Sequence, residues 1–348
     1  MKGFGSGWHS GSSAFRTVAL GLALMTTACA RSPGAIPPGP TPTSAGATAS
    51  AVPSAFAATA TSDAPAATAR AREPQASTNS DPTLGPRRYV IANSELVEVA
   101  SQLTGKRYEL IIGLPPSFAS DPARRYPTLY LLDGQWDFAL VNALSGGLRY
   151  DEVVPEFLIV AIAYAGENPD YGALRADDYL PESAPGRDGV IRGGRGKQFL
   201  ETFEREFFPL VERRYRADPA QRTLAGASFG GTFALYALFE RPELFAAYVA
   251  VSPPLGWNDR YLFKRELASR ERGAALEKRV WLSIGDQERA DNVQHARDFF
   301  RQLRAGAPRK LALATHVLAG ERHAGVKPEA YNRALRFVFE ANGAATPQ

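Results

Sequence analysis

The run Arg222-Thr-Leu-Ala-Gly226-Ala227-Ser228-Phe229-Gly230-Gly231 decides how the rest of the chain is read. Its first half, from Thr223 to Gly226, is short and strand-like. Its second half opens a small-residue stretch, Gly230 to Glu240, closed by Arg241-Pro242 and predicted to be a helix. Gly-x-Ser-x-Gly between a strand and a helix is the context of a nucleophile elbow. Glycines are needed there because the turn is tight and the chain on each side passes close to its neighbours. A serine on such a turn projects its oxygen above the sheet, and the helix N-terminus behind it favours negative charge. Ser228 is therefore the candidate nucleophile and the Phe229 amide a candidate oxyanion donor. The competing reading is a close-packed turn that holds an inert serine.

The surrounding elements agree with a sheet of that kind. Ser94 to Ser101 and Arg107 to Gly113 flank Thr104-Gly105 and read as a hairpin. Thr128 to Leu132 and Phe157 to Ala163 are apolar without alternation, which suits parallel strands buried on both faces. Gln198 to Arg214 carries Phe199, Phe203, Phe207 and Leu210 at helical spacing. Further strands are predicted over Tyr248 to Ser252, Arg279 to Ile284 and Leu311 to Leu318, and helices over Asn292 to Leu303 and Pro328 to Phe339. Alternating strands and helices after an opening hairpin predict an α/β fold, a mostly parallel sheet of about eight strands with helices on both faces.

A serine needs a base. His323 follows the last strand in Gly320-Glu-Arg-His323-Ala-Gly325, on the carboxyl edge where catalytic loops of open α/β sheets gather. It is the candidate general base, whereas His316, inside an apolar run, reads as structural. The acid should lie between serine and histidine in the chain. Gly285-Asp286-Gln287-Glu288-Arg289-Ala290-Asp291 offers Glu288, Asp291 and Asp286; spacing alone does not choose, and Glu288 is favoured. A second oxyanion donor is expected after the third strand, in Leu132-Asp133-Gly134-Gln135-Trp136, with the Gln135 amide the candidate. No metal site and no cofactor are expected, because histidines and carboxylates show no ligand spacing.

Together these residues resemble the esterase family of α/β-hydrolases that includes the enterochelin-type siderophore esterases and relatives of esterase D. The resemblance is carried by Tyr130-Leu-Leu-Asp-Gly134, Arg175-Ala-Asp-Asp-Tyr-Leu-Pro181, Arg222 to Gly231, Ala250-Val-Ser-Pro253, Gly285-Asp-Gln-Glu288 and Gly320-Glu-Arg-His323. It spans about Arg88 to Phe339. It implies an α/β-hydrolase fold and a serine esterase acting on a small-molecule ester, with Ser228, His323 and, by its Gly-x-x-Glu arrangement, Glu288. It also brings Arg175 and Asp178 near the site, although an ion pair ordering that loop is the plainer account. Trp257 is a candidate pocket residue. Siderophore trilactones, aryl esters and short acyl esters all fit. Acyl transfer to a sugar or lipid alcohol, or a binding lipoprotein without chemistry, are the alternatives.

The rest of the chain has a different composition. Residues 1–28 carry Lys2 and Arg16 and an apolar run from Val18 to Met25, the pattern of a signal peptide. Cys29, the single cysteine, stands where a bacterial lipoprotein signal puts its lipidated residue. From Ser32 to Gly85, 43 of 54 residues are Ala, Pro, Ser, Thr or Gly, too little apolar surface to offset chain entropy. Residues 29–85 are thus expected to be an unfolded tether with a reach of about 40 Å. The esterase domain is expected over 86–343, with a tail at 344–348. A bacterial envelope location follows, with membrane contact only through the lipid and the outer membrane favoured. Without residues 1–28 the balance is 38 basic to 36 acidic side chains, which argues against a nucleic-acid partner. Nothing in the sequence specifies an oligomeric state.

Overall fold

Strands that are apolar on both faces require a cover on each side, and the computed structural model provides two. It describes residues 89–186, 188–273, 277–306 and 311–339. The chain divides into Met1–Pro82 and Thr83–Gln348, and every described residue belongs to the second unit. The predicted signal peptide, Cys29, the tether to residue 85 and the tail at 344–348 lie outside the described residues.

In chain order the elements are β1 (Ser94–Ala100), β2 (Arg107–Gly113), β3 (Tyr126–Leu131), α1 (Gly134–Tyr150), β4 (Leu158–Tyr164), α2 (Tyr171–Tyr179), β5 (Ser183–Pro185) and β6 (Ile191–Gly193). They continue with α3 (Gly196–Thr202), α4 (Phe208–Tyr215), β7 (Ala217–Ala227), α5 (Phe229–Glu240), β8 (Ala247–Val251), α6 (Trp257–Glu271), β9 (Arg279–Gly285), α7 (Ala290–Ala305), β10 (Ala312–Leu318) and α8 (Lys327–Phe339). The main sheet has eight strands in the order β1-β2-β4-β3-β7-β8-β9-β10, and β5-β6 form a separate hairpin. β4, β3 and β7 to β10 run parallel; β2 is antiparallel to β4 and β1 to β2. This is the predicted α/β-hydrolase architecture.

The pleat sorts each strand's side chains. Leu158, Val160 and Ile162 of β4 join Tyr130, Leu224 and Tyr248 in the core under α3 to α7. Ile159 and Ala161 join Leu129, Leu131, Val249 and Trp281 in the core under α1 and α8. This double coverage is why the strands read as unbroken apolar runs. α5 is buried from Gly230 to Phe239, so its sequence shows no polar face.

Three boundaries differ from the predicted ones. The helix expected over Gln198 to Arg214 contains a π turn at Phe203–Phe207 between α3 and α4. The additional residue turns Phe203, Phe207 and Phe208 all toward the core, where Tyr130 meets Phe208 edge-on at 5.1 Å. β7 begins at Ala217 instead of Thr223, because its register with β3 slips between Tyr126↔Ala217 and Thr128↔Arg222. Pro219, which has no N–H for the ladder, sits in the exposed residues of that slip. Gln135 and Trp136, expected in a loop, already belong to α1. Among the described residues no helix is long and apolar enough to cross a membrane.

The strand order reverses between β3 and β7. From β3 the chain moves outward to β4, then returns to place β7 on the other side of β3. Ligands of open α/β sheets bind outside the carboxyl ends of the strands at such a point. Asp133-Gly134 after β3 and Ser228 after β7 flank it.

Candidate active site

Five neighbouring strand ends, those of β3, β7, β8, β9 and β10, frame the candidate residues, and backbone hydrogen bonds tie each end to the next. The Leu132 amide donates to the Ala225 carbonyl (2.9 Å), Ser228 to Val251 (2.9 Å), Ser252 to Ser283 (2.8 Å) and Asp286 to Leu318 (2.9 Å). The turns after β3, β7, β8 and β9 are thus cross-linked in series.

Ser228 occupies the junction between β7 and α5 with φ 55° and ψ −123°, a backbone conformation that costs a non-glycine residue about 1–3 kcal/mol. The sharp turn needs Gly226. A Cβ there would fall 2.5 Å from the Gly230 carbonyl carbon, inside the contact that brings the helix back over the strand. Phe229 is the first residue of α5, so its N–H has no acceptor within the helix.

Across the reversal, Asp133 takes a left-handed conformation (φ 61°) and α1 starts at Gly134. Gly134 presses against β4, where a Cβ would approach the Ala161 carbonyl carbon to 2.9 Å. Gln135 follows in the first turn of α1, and its amide likewise has no acceptor within its own helix. The Gln135 side-chain amide is buried without a hydrogen-bond partner among the described residues.

Glu288 and His323 meet after β9 and β10. Glu288 Oε2 lies 2.8 Å from His323 Nδ1; the carboxylate side chain is 2% exposed and the imidazole 52%. The other oxygen, Oε1, accepts from Ser252 Oγ at 2.5 Å and from the Gly285 amide at 3.3 Å. Burial pushes the Glu288 carboxyl up, but hydrogen bonds from His323 and Ser252 outweigh it and hold the group below the ordinary carboxylate range. The other two acids face elsewhere: Asp286 accepts from the Gly320 amide (2.8 Å), and Asp291 pairs with Arg289 (2.8 Å). His316 stacks on Trp281 at 4.2 Å, and burial lowers its pKa. A third histidine of this unit, His295 of α7, packs against Gly256.

Arg175 of α2 turns its guanidinium to the buried Asp133, with Nε to Oδ1 at 2.5 Å and Nη2 to Oδ2 at 2.7 Å. Burial pushes the Asp133 carboxyl up and Arg175 opposes it, with burial prevailing. The guanidinium also lies 5.0 Å over Trp136 and 5.8 Å from the Phe229 ring. Asp178 is fully buried and accepts from Lys106, Tyr108 (2.9 Å) and Tyr164 (3.0 Å). Trp257 begins α6 and meets Tyr261 edge-on at 5.5 Å.

Two residues near this site carry no motif signal that the sequence reading used for a role. Ser252 stood inside Ala250-Val-Ser-Pro253, but only the fold brings its hydroxyl to Glu288. Trp136, 50% exposed beside Gln135, is paired edge-on with Tyr171 at 5.4 Å. Among the described residues there is no group of three or more metal-ligating side chains that could hold an ion.

Residues 101–323 match the family model described as "Putative esterase". The chain belongs to this esterase family. It is similar to the ferri-bacillibactin esterase BesA of Bacillus subtilis, 27% identical over 275 residues that cover 73% of this chain and 92% of the relative. Among solved structures it resembles the BES protein from Bacillus cereus, with TM-score 0.67 and 28% identity, covering 74% of this chain and 100% of that one. The siderophore hydrolase EstB from Aspergillus nidulans shares the fold, with TM-score 0.65 and 21% identity over 75% of this chain and all of its own. The esterase is thus a carboxylic-ester hydrolase.

Proposed function

We propose that this esterase cleaves ester bonds of siderophore-type or aryl-bearing small molecules through an acyl-enzyme on Ser228. Ser228 Oγ attacks the ester carbonyl carbon while His323 takes its proton, and Glu288 stabilises the resulting imidazolium. The amides of Phe229 and Gln135 receive the oxyanion. Collapse expels the alcohol, which takes the proton from His323. Water then attacks the acyl carbon with His323 again as base, releasing the carboxylic acid and restoring Ser228. The observation that carries this reading is the Glu288–His323 hydrogen bond after β9 and β10, on the same sheet edge as the strained Ser228 turn after β7. Its substrate class rests on the relatives, one of which is named for a ferric siderophore.

We further propose that Cys29 carries a lipid that holds the enzyme at the bacterial envelope. The support is its position after the apolar run and its uniqueness in the chain.

The test is hydrolysis of a ferric catecholate trilactone beside p-nitrophenyl esters of increasing acyl length, with wild type and Ser228→Ala. The trilactone is expected to be cleaved with the higher kcat/KM. Ser228→Ala is expected to lose at least a thousandfold and to escape labelling by a fluorophosphonate. Full activity in Ser228→Ala would sink the mechanism, and indifference to the trilactone would sink the siderophore part of the substrate class.

A further inference from the structure

Asp137 lies in the first turn of α1, two residues after the Gln135 amide. Its carboxylate is 2% exposed. Oδ1 accepts from Lys327 Nζ at 2.7 Å, and Oδ2 accepts from Tyr331 Oη at 2.8 Å. Both donors belong to α8. Tyr331 is buried, and burial with the neighbouring Asp137 carboxylate holds its phenol well above the ordinary range, so it remains a donor.

What makes this junction more than a core ion pair is where its two ends lead. Lys327 is the first residue of α8 and stands four positions after His323. The Val326 amide donates to the Arg322 carbonyl at 2.9 Å, and the Ala330 amide to the Val326 carbonyl at 3.0 Å. The chain therefore runs from His323 into α8 through bonded turns. On its other flank the same segment is held by the Gln287 amide on the Glu321 carbonyl (2.9 Å), the Gly320 amide on Asp286 and the imidazole on Glu288. The segment bearing the base is fixed on one side to the acid loop and on the other, through Asp137, to the helix start that offers an oxyanion amide.

Charge requires the pairing as well. A carboxylate within one turn of amides meant for an oxyanion would oppose the charge that develops there. Lys327 neutralises Asp137, as Arg175 neutralises Asp133 one turn earlier.

We propose that Asp137, Lys327 and Tyr331 are positioning residues that lock the oxyanion turn of α1 to the segment carrying His323. The inference rests on the roles of Ser228, His323 and the Gln135 amide proposed above. Its test uses the full-length chain with Asp137→Asn, Lys327→Met, Lys327→Arg and Tyr331→Phe, and with Ser228→Ala as control. The readouts are kcat and KM on p-nitrophenyl acetate, affinity for phenylboronic acid, which forms a tetrahedral adduct with a catalytic serine, and the thermal midpoint. Asp137→Asn and Lys327→Met are expected to lose at least tenfold in kcat and in boronate affinity, with KM within twofold. Lys327→Arg is expected to recover most of both. Tyr331→Phe keeps the buried ring, so it folds, and is expected to lose about threefold in kcat. A fall in thermal midpoint alone, with kcat and boronate affinity within twofold of wild type, would overturn the clamp while leaving the Ser228 reading intact. Retained activity in Ser228→Ala would overturn that reading and the clamp with it.

Discussion

Ser252 shows how a single hydroxyl can act at one remove from the chemistry. It is buried, takes φ 48°, and donates a hydrogen bond to the Glu288 oxygen that does not face His323. A hydrogen bond to a buried carboxylate contributes about 1.5–3 kcal/mol. Ser252→Ala is expected to cost that much stability at neutral pH and to lower kcat by about tenfold. The pH dependence has a definite sign. Glu288 is held below its ordinary value of 4.5, so the stability it contributes is fully present above about pH 4.5 and is lost as pH falls through its folded pKa. The gap in thermal midpoint between wild type and Ser252→Ala should therefore be full at pH 7 and narrow below pH 4.5. A gap that stayed constant down to pH 3 would mean that the hydroxyl is not supporting the ionised carboxylate. Ser228 and His323 can be proposed from the sequence because the chemistry demands their types in chain order, but that order leaves Glu288, Asp291 and Asp286 all open, and the hydrogen bond to His323 is what distinguishes Glu288. Ser252 cannot be proposed that way, since its partner lies 36 residues away and an inward serine at a strand end has no distinguishing neighbour.

Elements were legible wherever burial was uniform. β3, β4, β8 and β9 read directly, because strands covered on both faces are apolar at most positions without alternation. α1 did not, because Gly146-Gly147 and a scatter of Asn and Ser weaken its pattern, and its left-handed start at Asp133 has no capping hydrogen bond. α6 was hidden for a similar reason: Asn258, Asp259 and Arg260 in its first turn have positive φ. The segment from Tyr164 to Arg195 holds α2 and the β5–β6 hairpin, whose positions depend on long-range partners such as Asp133 and Lys106. At this scale the close contact between β7 and α5 gives a sharp expectation. Gly226→Ala would drive a Cβ into the Gly230 backbone, which cannot rotate away. We expect a loss of about 2–3 kcal/mol in denaturant unfolding, with activity falling alongside as the Ser228 turn is displaced. A Gly226→Ala protein with wild-type midpoint and activity would show that the turn is looser than this contact requires.

For the molecule as a whole, the decisive contrast is between the esterase unit and the residues before it. Thr83–Gln348 holds the sheet, both cores and every candidate catalytic group, whereas the preceding stretch is dominated by five small or turn-forming residue types. If Cys29 is the anchor, each buried methylene of its acyl chains adds about 0.8 kcal/mol of membrane affinity, and a single serine substitution removes all of it. Cys29→Ser is expected to move the enzyme from the membrane fraction to the soluble fraction, with kcat and KM on p-nitrophenyl acetate within twofold of wild type. Persistence of Cys29→Ser in the membrane fraction would show that something other than this thiol holds it there. A loss of kcat on release would show that the anchoring segment contributes to the chemistry as well as to location.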